Sequence, residues 1–250
     1  MKTRTKKLLC VPDTHFPYHD KRAWHTILRA IETWKPDEVI HLGDAMDFYS
    51  VSSHSKNPRR IQRLATELQI GNTELDTLQL AAGNCTVVFL EGNHETRLAR
   101  YLAQHAAALD GLLEIPDLLK LESRKWEFYP YQEVYSVGKW NFVHDLGKSG
   151  LGATKSAVQD FGGNVVIGHT HRAQVEYMGE TRPRGKTHCA VSSGWVGDYS
   201  KIDYRSRATA RKEWQHAFTT VRIADGGEGF ATLHPIFNGM AEVEGELVKG

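Results

Sequence analysis

Five short stretches of this 250-residue chain place carboxylate, carboxamide or imidazole groups directly after apolar runs. They are Asp13 and His15 in V-P-D-T-H, Asp44 and Asp47 in G-D-A-M-D, Asn93 and His94 in G-N-H-E, His144 after residues 140–143, and His169 and His171 in G-H-T-H. Mixed nitrogen and oxygen donors of this kind hold divalent cations, and a set short of carboxylates leaves those cations strongly Lewis acidic. Any one D-x-H or H-x-H arises by chance, and a lone histidine at a strand exit is ordinarily capped or solvated. Five in succession at strand exits point to one convergent centre. Glu95 reads differently, as a carboxylate facing the positive end of the helix that follows it.

Delivering these groups to one place takes strands that end along one edge. Residues 7–11, 39–42 and 86–90 are apolar runs separated by helical patterns over 21–34 and 59–80, giving β-α-β-α-β. Right-handed crossovers make such a unit a parallel sheet whose strand C-termini share an edge. A helix is expected over 96–109, and short helical pieces forming a small insertion around 110–125. From residue 133 the pattern turns to β: a hairpin over 133–143, a helix at 155–161, then strands at 165–167, 174–178, 186–191, 217–223 and 229–234. A parallel first half and a mixed second half pack best as a two-sheet β-sandwich flanked by helices. The expected organisation is one domain over residues 1–240 and a loosely held acidic tail over 241–250.

Composition narrows the class. Hydrophobic residues make up 40% of the chain, enough for a substantial core, and the net charge of +1 leaves any polyanion argument to local clusters. Cys10, Cys85 and Cys189 are odd in number and embedded in apolar runs, as free thiols in a reducing compartment would be. The apolar run behind Lys2, Arg4, Lys6 and Lys7 is too short for a secretory signal or a membrane span. A cytoplasmic protein with no membrane partner is expected; the oligomeric state is not set by the sequence. Gly147-Lys148-Ser149 mimics a phosphate-binding loop, but Phe142 stands where that motif needs glycine.

The ordered signature D-x-H, G-D, G-N-H-E, a lone H and G-H-x-H resembles that of the calcineurin-like metallophosphoesterases, with every position filled between Asp13 and His171. The resemblance implies an α/β/β/α sandwich with two divalent ions at the strand ends. Asp13, His15 and His171 would hold one, Asn93, His144 and His169 the other, and Asp44 would bridge them, with a metal-bridging hydroxide as nucleophile. Manganese heads the ions such donors accept; iron, zinc, cobalt and nickel also suit. By the same resemblance His94 protonates the leaving oxygen, and Asp47 pairs with it to favour the imidazolium.

Phe48 departs from the protein phosphatase branch, where an arginine that clamps the phosphate follows the second aspartate. Positive charge must then come from elsewhere: Lys56, Arg59, Arg60 and Arg63, Arg97 and Arg100, Lys148, or Arg172. The segment 191–212 interleaves Trp195, Tyr199 and Tyr204 with Lys201, Arg205, Arg207, Arg211 and Lys212, a pattern suited to single-stranded nucleic acid, though also that of an ordinary surface loop and helix. Arg97, Arg172, Lys148, Trp195 and Tyr199 are the candidate substrate contacts. The expected activity is hydrolysis of a phosphodiester in DNA, RNA or a nucleotide; the alternatives are a phosphomonoesterase and a non-catalytic scaffold of the same fold.

Overall fold

The computed structural model describes residues 5–57, 60, 63–181, 185–202 and 206–250. Lys2, Arg4, Arg59, Tyr204 and Arg205 lie outside the described residues, as does the side chain of Arg207. The chain begins with β1 (Thr5–Val11), α1 (Lys21–Trp34), β2 (Glu38–His41), α2 (Leu64–Ala82) and β3 (Thr86–Leu90). Next come α3 (Thr96–His105), the short α4 (Ile115–Leu118) and α5 (Leu121–Arg124), and β4 (Glu127–Tyr129). The second half comprises β5 (Tyr135–Val137), β6 (Trp140–Val143), α6 (Ala153–Phe161), β7 (Asn164–Ile167), β8 (Ala173–Gly179) and β9 (Thr187–Ser193). The short helix α7 (Arg207–Glu213) leads into β10 (Ala217–Ala224), β11 (Gly229–Pro235), β12 (Met240–Val243) and β13 (Glu246–Lys249).

One sheet runs β11-β10-β1-β2-β3-β4, the other β5-β6-β7-β9-β8. The β1, β2, β3 and β4 neighbours are parallel, and so are β6, β7 and β9, while β10, β11, β5 and β8 pair antiparallel. Strand alternation sorts β1 cleanly. Leu8 and Cys10 face the second sheet, meeting Trp140, Phe142, Val166 and Val191, whereas Leu9 and Val11 face Trp24, Ile27 and Ile31 of α1. Helix α6 covers the far side of the second sheet through Ala157 and Val158 against Val143, Val165 and Ile167. The layers are therefore helix, sheet, sheet, helix, as the sequence pattern requires.

Helix α1 shows why the pattern was legible. Asp20 accepts hydrogen bonds from the amides of Arg22 and Ala23 at 2.9 and 3.0 Å, Lys35 closes the other end at φ 52°, and the buried stripe recurs at helical spacing. Residues 110–125 do form short helices, anchored by buried Ile115, Leu119 and Leu121. Helix α3 ends at His105, before the expected residue 109, and α2 begins at Leu64.

The expectation of a loose tail is corrected. Residues 240–249 form a hairpin whose two-residue turn, Glu244-Gly245, has φ of 55° and 87°, the left-handed pair that matches strand twist. Ala241, Val243 and Val248 are buried against the α1 side of the core, and Glu244 accepts from Trp34 Nε1 at 2.7 Å. Acidic residues alternating with Ala241 and Val243 are the outer face of a strand, not the composition of a solvated tail.

Candidate metal centre

The parallel strands of both sheets end at one edge, and the loops that leave them carry the donors. Asp13 and His15 follow β1, Asp44 follows β2, Asn93 and His94 follow β3, His144 follows β6, and His169 and His171 follow β7. Donor atoms of Asp13, His15, Asp44 and His171 all lie within 4.8 Å of one another, and so do those of Asp44, His144 and His169. Asp44 belongs to both groups. Asn93 Oδ1 completes the second, 3.0 Å from His144 Nε2 and 2.7 Å from His169 Nδ1. A third grouping joins His15, Asp47 and His94.

Four donors sit on strained backbone: φ is 50° at His15, 49° at Asp44, 62° at His169 and 59° at His171. Left-handed non-glycine residues cost on the order of 1–3 kcal/mol each and persist where the surroundings over-determine them, characteristically at functional sites. Gly43, at φ 100°, makes room: a Cβ there would lie 2.7 Å from His144 Nδ1 and 2.9 Å from the Gly92 backbone.

The fit to divalent cations rests on what these groups do to one another. Nε2 of His15 and Nε2 of His171 are aimed at each other across 3.0 Å, with Asp13 Oδ2 3.1 Å from the His171 atom and 4.0 Å from the His15 atom. Burial drives Asp44 upward, but the charges of His144 and His94 prevail and hold its carboxyl well below the usual range. Burial likewise opposes protonation of His144, yet Asp44 raises that imidazole to about 10. Buried carboxylates that draw protons onto adjacent imidazoles will exchange those protons for a cation. His144 Nδ1 faces the Leu42 carbonyl at 2.8 Å and donates to it, which leaves Nε2 free as a ligand.

His94 is placed differently from the expectation. Its Nδ1 donates to the backbone carbonyl of Asp47 at 3.0 Å, while the Asp47 carboxylate stands 3.8 Å from that nitrogen and closer, 3.4 Å, to His15 Nδ1. His94 Nε2 accepts from Arg97 at 2.8 Å. Burial, together with the cationic neighbours His15 and Arg97, pushes His94 down to about 3 despite Asp44 and Asp47. Asp47 thus orients His94 chiefly through its main chain, its carboxylate lying nearer to His15 and Arg97 than to the His94 ring.

Of the candidate substrate contacts, Arg97 lies beside His94 and is bonded to the Asp47 carbonyl at 2.7 Å. Arg172 is buried, donating to the Ser149 carbonyl at 2.8 Å and pairing with Glu213. Lys148 pairs with Asp160 at 2.6 Å on the surface. Trp195 is 3% exposed and stacks on His171 at 4.9 Å, bracing a donor instead of offering an open ring. Tyr199 donates its hydroxyl to the Trp214 carbonyl at 2.6 Å and packs against the Trp195–Trp214 cluster. In this structure these four side chains are engaged with acids, backbone carbonyls or one another.

Two residues do more than their sequence context indicates. Glu95 is fully buried, and its carboxylate accepts from the amides of Asp44, Met46 and Gly92 at 2.9, 2.8 and 2.9 Å. It ties the β2 exit loop to the β3 exit loop, a task beyond facing a helix dipole. His41, also fully buried, lies 3.3 Å from the Thr14 hydroxyl and accepts from the Gly43 amide at 3.3 Å, bracing the loops on either side of Asp44. The sequence signal for His41 was a histidine inside an otherwise apolar strand.

A two-sheet α/β sandwich whose strand ends gather nitrogen and oxygen donors about one buried, shared aspartate defines the metal-dependent hydrolase class. The chain belongs to the calcineurin-like phosphoesterase family, which it matches over residues 6–184, a span containing every donor named above. The Gene 54 protein of Mycobacterium phage D29 is 28% identical over 263 residues, covering 97% of this chain and 98% of the relative. That of Mycobacterium phage L5 is 28% identical over 260 residues with the same coverage. Among solved structures, Chaetomium thermophilum Vps29 matches at 12% identity and a TM-score of 0.49, covering 98% of this chain and 96% of that one. The E. coli phosphoesterase YfcE matches at 13% identity and 0.38, covering 90% and 98%. Among the described residues no helix is long and apolar enough to cross a membrane.

Proposed function

We propose that this phosphoesterase hydrolyses phosphodiesters, in nucleic acid or nucleotides, in a cytoplasmic setting and with manganese as the fitting metal. The observation that carries the reading is the convergence of two donor groups on Asp44 with His94 beside them, its amide donating to Asp44 Oδ1 at 2.7 Å and its Nε2 3.8 Å from Asp44 Oδ2. Asp13, His15 and His171 would hold one divalent ion and Asn93, His144 and His169 the other, with Asp44 shared. When bound, such ions lower the pKa of water towards about 7 and neutralise charge on the phosphoryl oxygens.

The chain's own residues do the rest. In hydrolysis water oxygen bonds to phosphorus, the bond from phosphorus to the leaving oxygen breaks, and that oxygen needs a proton. His94 supplies it from Nε2 after taking up a proton there in place of the Arg97 hydrogen bond; its Nδ1 stays fixed on the Asp47 carbonyl, so only Nε2 can carry a proton in and out. A phosphoester anion beside this imidazole raises its proton affinity from the low value that burial and Arg97 impose. Glu95 holds the Asp44 and Asn93 loops in register, and Trp195 holds the His171 ring.

The preference for a diester follows from charge. A monoester carries more negative charge and calls for a dedicated cation clamp, whereas Phe48 is apolar and fully buried and Arg97 is engaged with Asp47 and His94. Comparison of bis-p-nitrophenyl phosphate with p-nitrophenyl phosphate, in the presence of manganese, tests the reading. Faster turnover of the diester is expected. A clear preference for the monoester would move the protein to the phosphatases, and no turnover of either to the scaffolds.

A further inference from the structure

Helix α3 carries Arg97, Arg100, Tyr101, Gln104 and His105 on one face, at the spacing of i, i+3, i+4, i+7 and i+8, while Leu98 and Leu102 on the opposite side are buried. With Val51, Ser52, Ser53 and Lys56 this face lines a cavity of about 240 Å³ that contains no carboxylate among its described residues. One wall is Arg97, whose guanidinium reaches His94 Nε2, so the cavity opens beside the group assigned to the leaving oxygen. It is small for an enclosed ligand pocket, which typically runs to about 300–1,000 Å³, and suits a stretch of backbone better than a whole buried molecule.

Its cations lie close together along one wall. Arg97 and Arg100 occupy the first half of α3, at the positive end of the helix dipole; Arg97 pairs with the Asp47 carboxylate at 3.5 Å, while Arg100 donates to the Asn93 carbonyl at 3.1 Å and to the Thr96 hydroxyl at 3.2 Å. Lys56 adds a third cation, held on the Ser50 carbonyl. Tyr101 is 38% exposed and offers a ring, with His105 tilted against it at 4.6 Å.

We infer that this basic face of α3 is the leaving-strand groove: it binds the phosphates and a base of single-stranded nucleic acid on the far side of the scissile bond from the donors. The inference rests on the phosphodiesterase reading and adds the substrate class. Lysine and arginine contacts to phosphates position a strand without reading its sequence, and a single exposed tyrosine stacks on any base. Cleavage is therefore indifferent to sequence and favoured by phosphates beyond the one attacked.

The test compares three substrates with manganese present: bis-p-nitrophenyl phosphate, a dinucleoside monophosphate and a single-stranded decanucleotide. The dinucleoside monophosphate has only the scissile phosphate, so the groove stays unused. Wild type is expected to favour the decanucleotide, with kcat/KM for it falling steeply as salt rises. In the double variant Lys56→Glu, Gln104→Glu, both exposed positions away from the donors, the ratio of decanucleotide to bis-p-nitrophenyl phosphate kcat/KM should fall at least tenfold, carried by KM. Lys56→Gln alone should flatten the log–log salt slope by about 0.7, the value for one lost single-strand phosphate contact. Hydrolysis of all three with unchanged ratios and slopes in the variants overturns the groove and leaves the phosphodiesterase intact. Equal efficiency on dinucleoside monophosphate and decanucleotide in wild type also overturns it, in favour of small nucleotides. Failure of wild type to hydrolyse even bis-p-nitrophenyl phosphate overturns the underlying reading and the groove with it.

Discussion

Glu95→Gln keeps the size and shape of the side chain and removes one acceptor from a junction that uses both oxygens. Oε2 takes the amides of Asp44 and Gly92, and Oε1 takes that of Met46. The glutamine oxygen can keep the first pair, but its NH₂ then faces the Met46 N–H, donor against donor. A buried donor left unpaired costs about 1–3 kcal/mol. A destabilisation of about 1–3 kcal/mol is expected, a sizeable share of the 5–15 kcal/mol that holds a typical domain together. The effect should not stop at stability. Asp44 is held at φ 49° by this junction, so releasing it lets the shared carboxylate drift from both donor groups. Urea unfolding measures the first effect, and manganese titration by calorimetry the second, with a loss of affinity expected. A loss under about 1 kcal/mol with wild-type manganese affinity would refute the view that Glu95 fastens the two loops.

His94→Ala should leave manganese bound and slow turnover roughly 10²–10⁴-fold, the usual worth of an acid-base group; full activity in the variant removes His94 from the chemistry. Asp44→Asn should abolish most of the rise in melting temperature that manganese gives the wild type, which at one hundred times Kd corresponds to about 2.7 kcal/mol; an equal rise in both proteins would dissociate Asp44 from metal binding. Glu67, fully buried beneath Ser50, is pushed up to about 7 by burial and by the charge of Asp47. Because its folded value is raised, the stability it contributes is complete below about pH 4.5 and lost as the pH climbs through 7. Urea midpoints at pH 5 and pH 8 should differ by less in Glu67→Gln than in wild type. An unchanged difference would assign the pH dependence elsewhere. Cys10, whose thiol burial drives well above the ordinary range, should resist a thiol reagent until the protein unfolds, which counting reactive thiols with and without urea would check.

Much of the layered fold and the seven donors could be read from residue order, because each rests on local facts. Apolar period decides strand or helix, glycine marks the sharp exits, and the donors follow those exits within a few residues. The hairpin of β12 and β13 was missed for want of context. Its alternation spans only a few residues on each side of the turn, and its apolar side matters only because α1 supplies a surface for Val243 and Val248.

The sequence by itself determined which atoms are available for metal binding and roughly where along the sheet edge they emerge, since that depends on short-range pattern and on the handedness of β-α-β crossovers. What only the tertiary structure decided is direction. Arg172 turned inward to Glu213, Trp195 turned to brace His171, Asp47 gave His94 a carbonyl instead of a carboxylate, and α3 turned its arginines toward the site. A charged or aromatic side chain is free to satisfy itself on whichever partner the fold brings nearest. That partner is usually distant in sequence, so the competition among partners is settled only once the layers have packed.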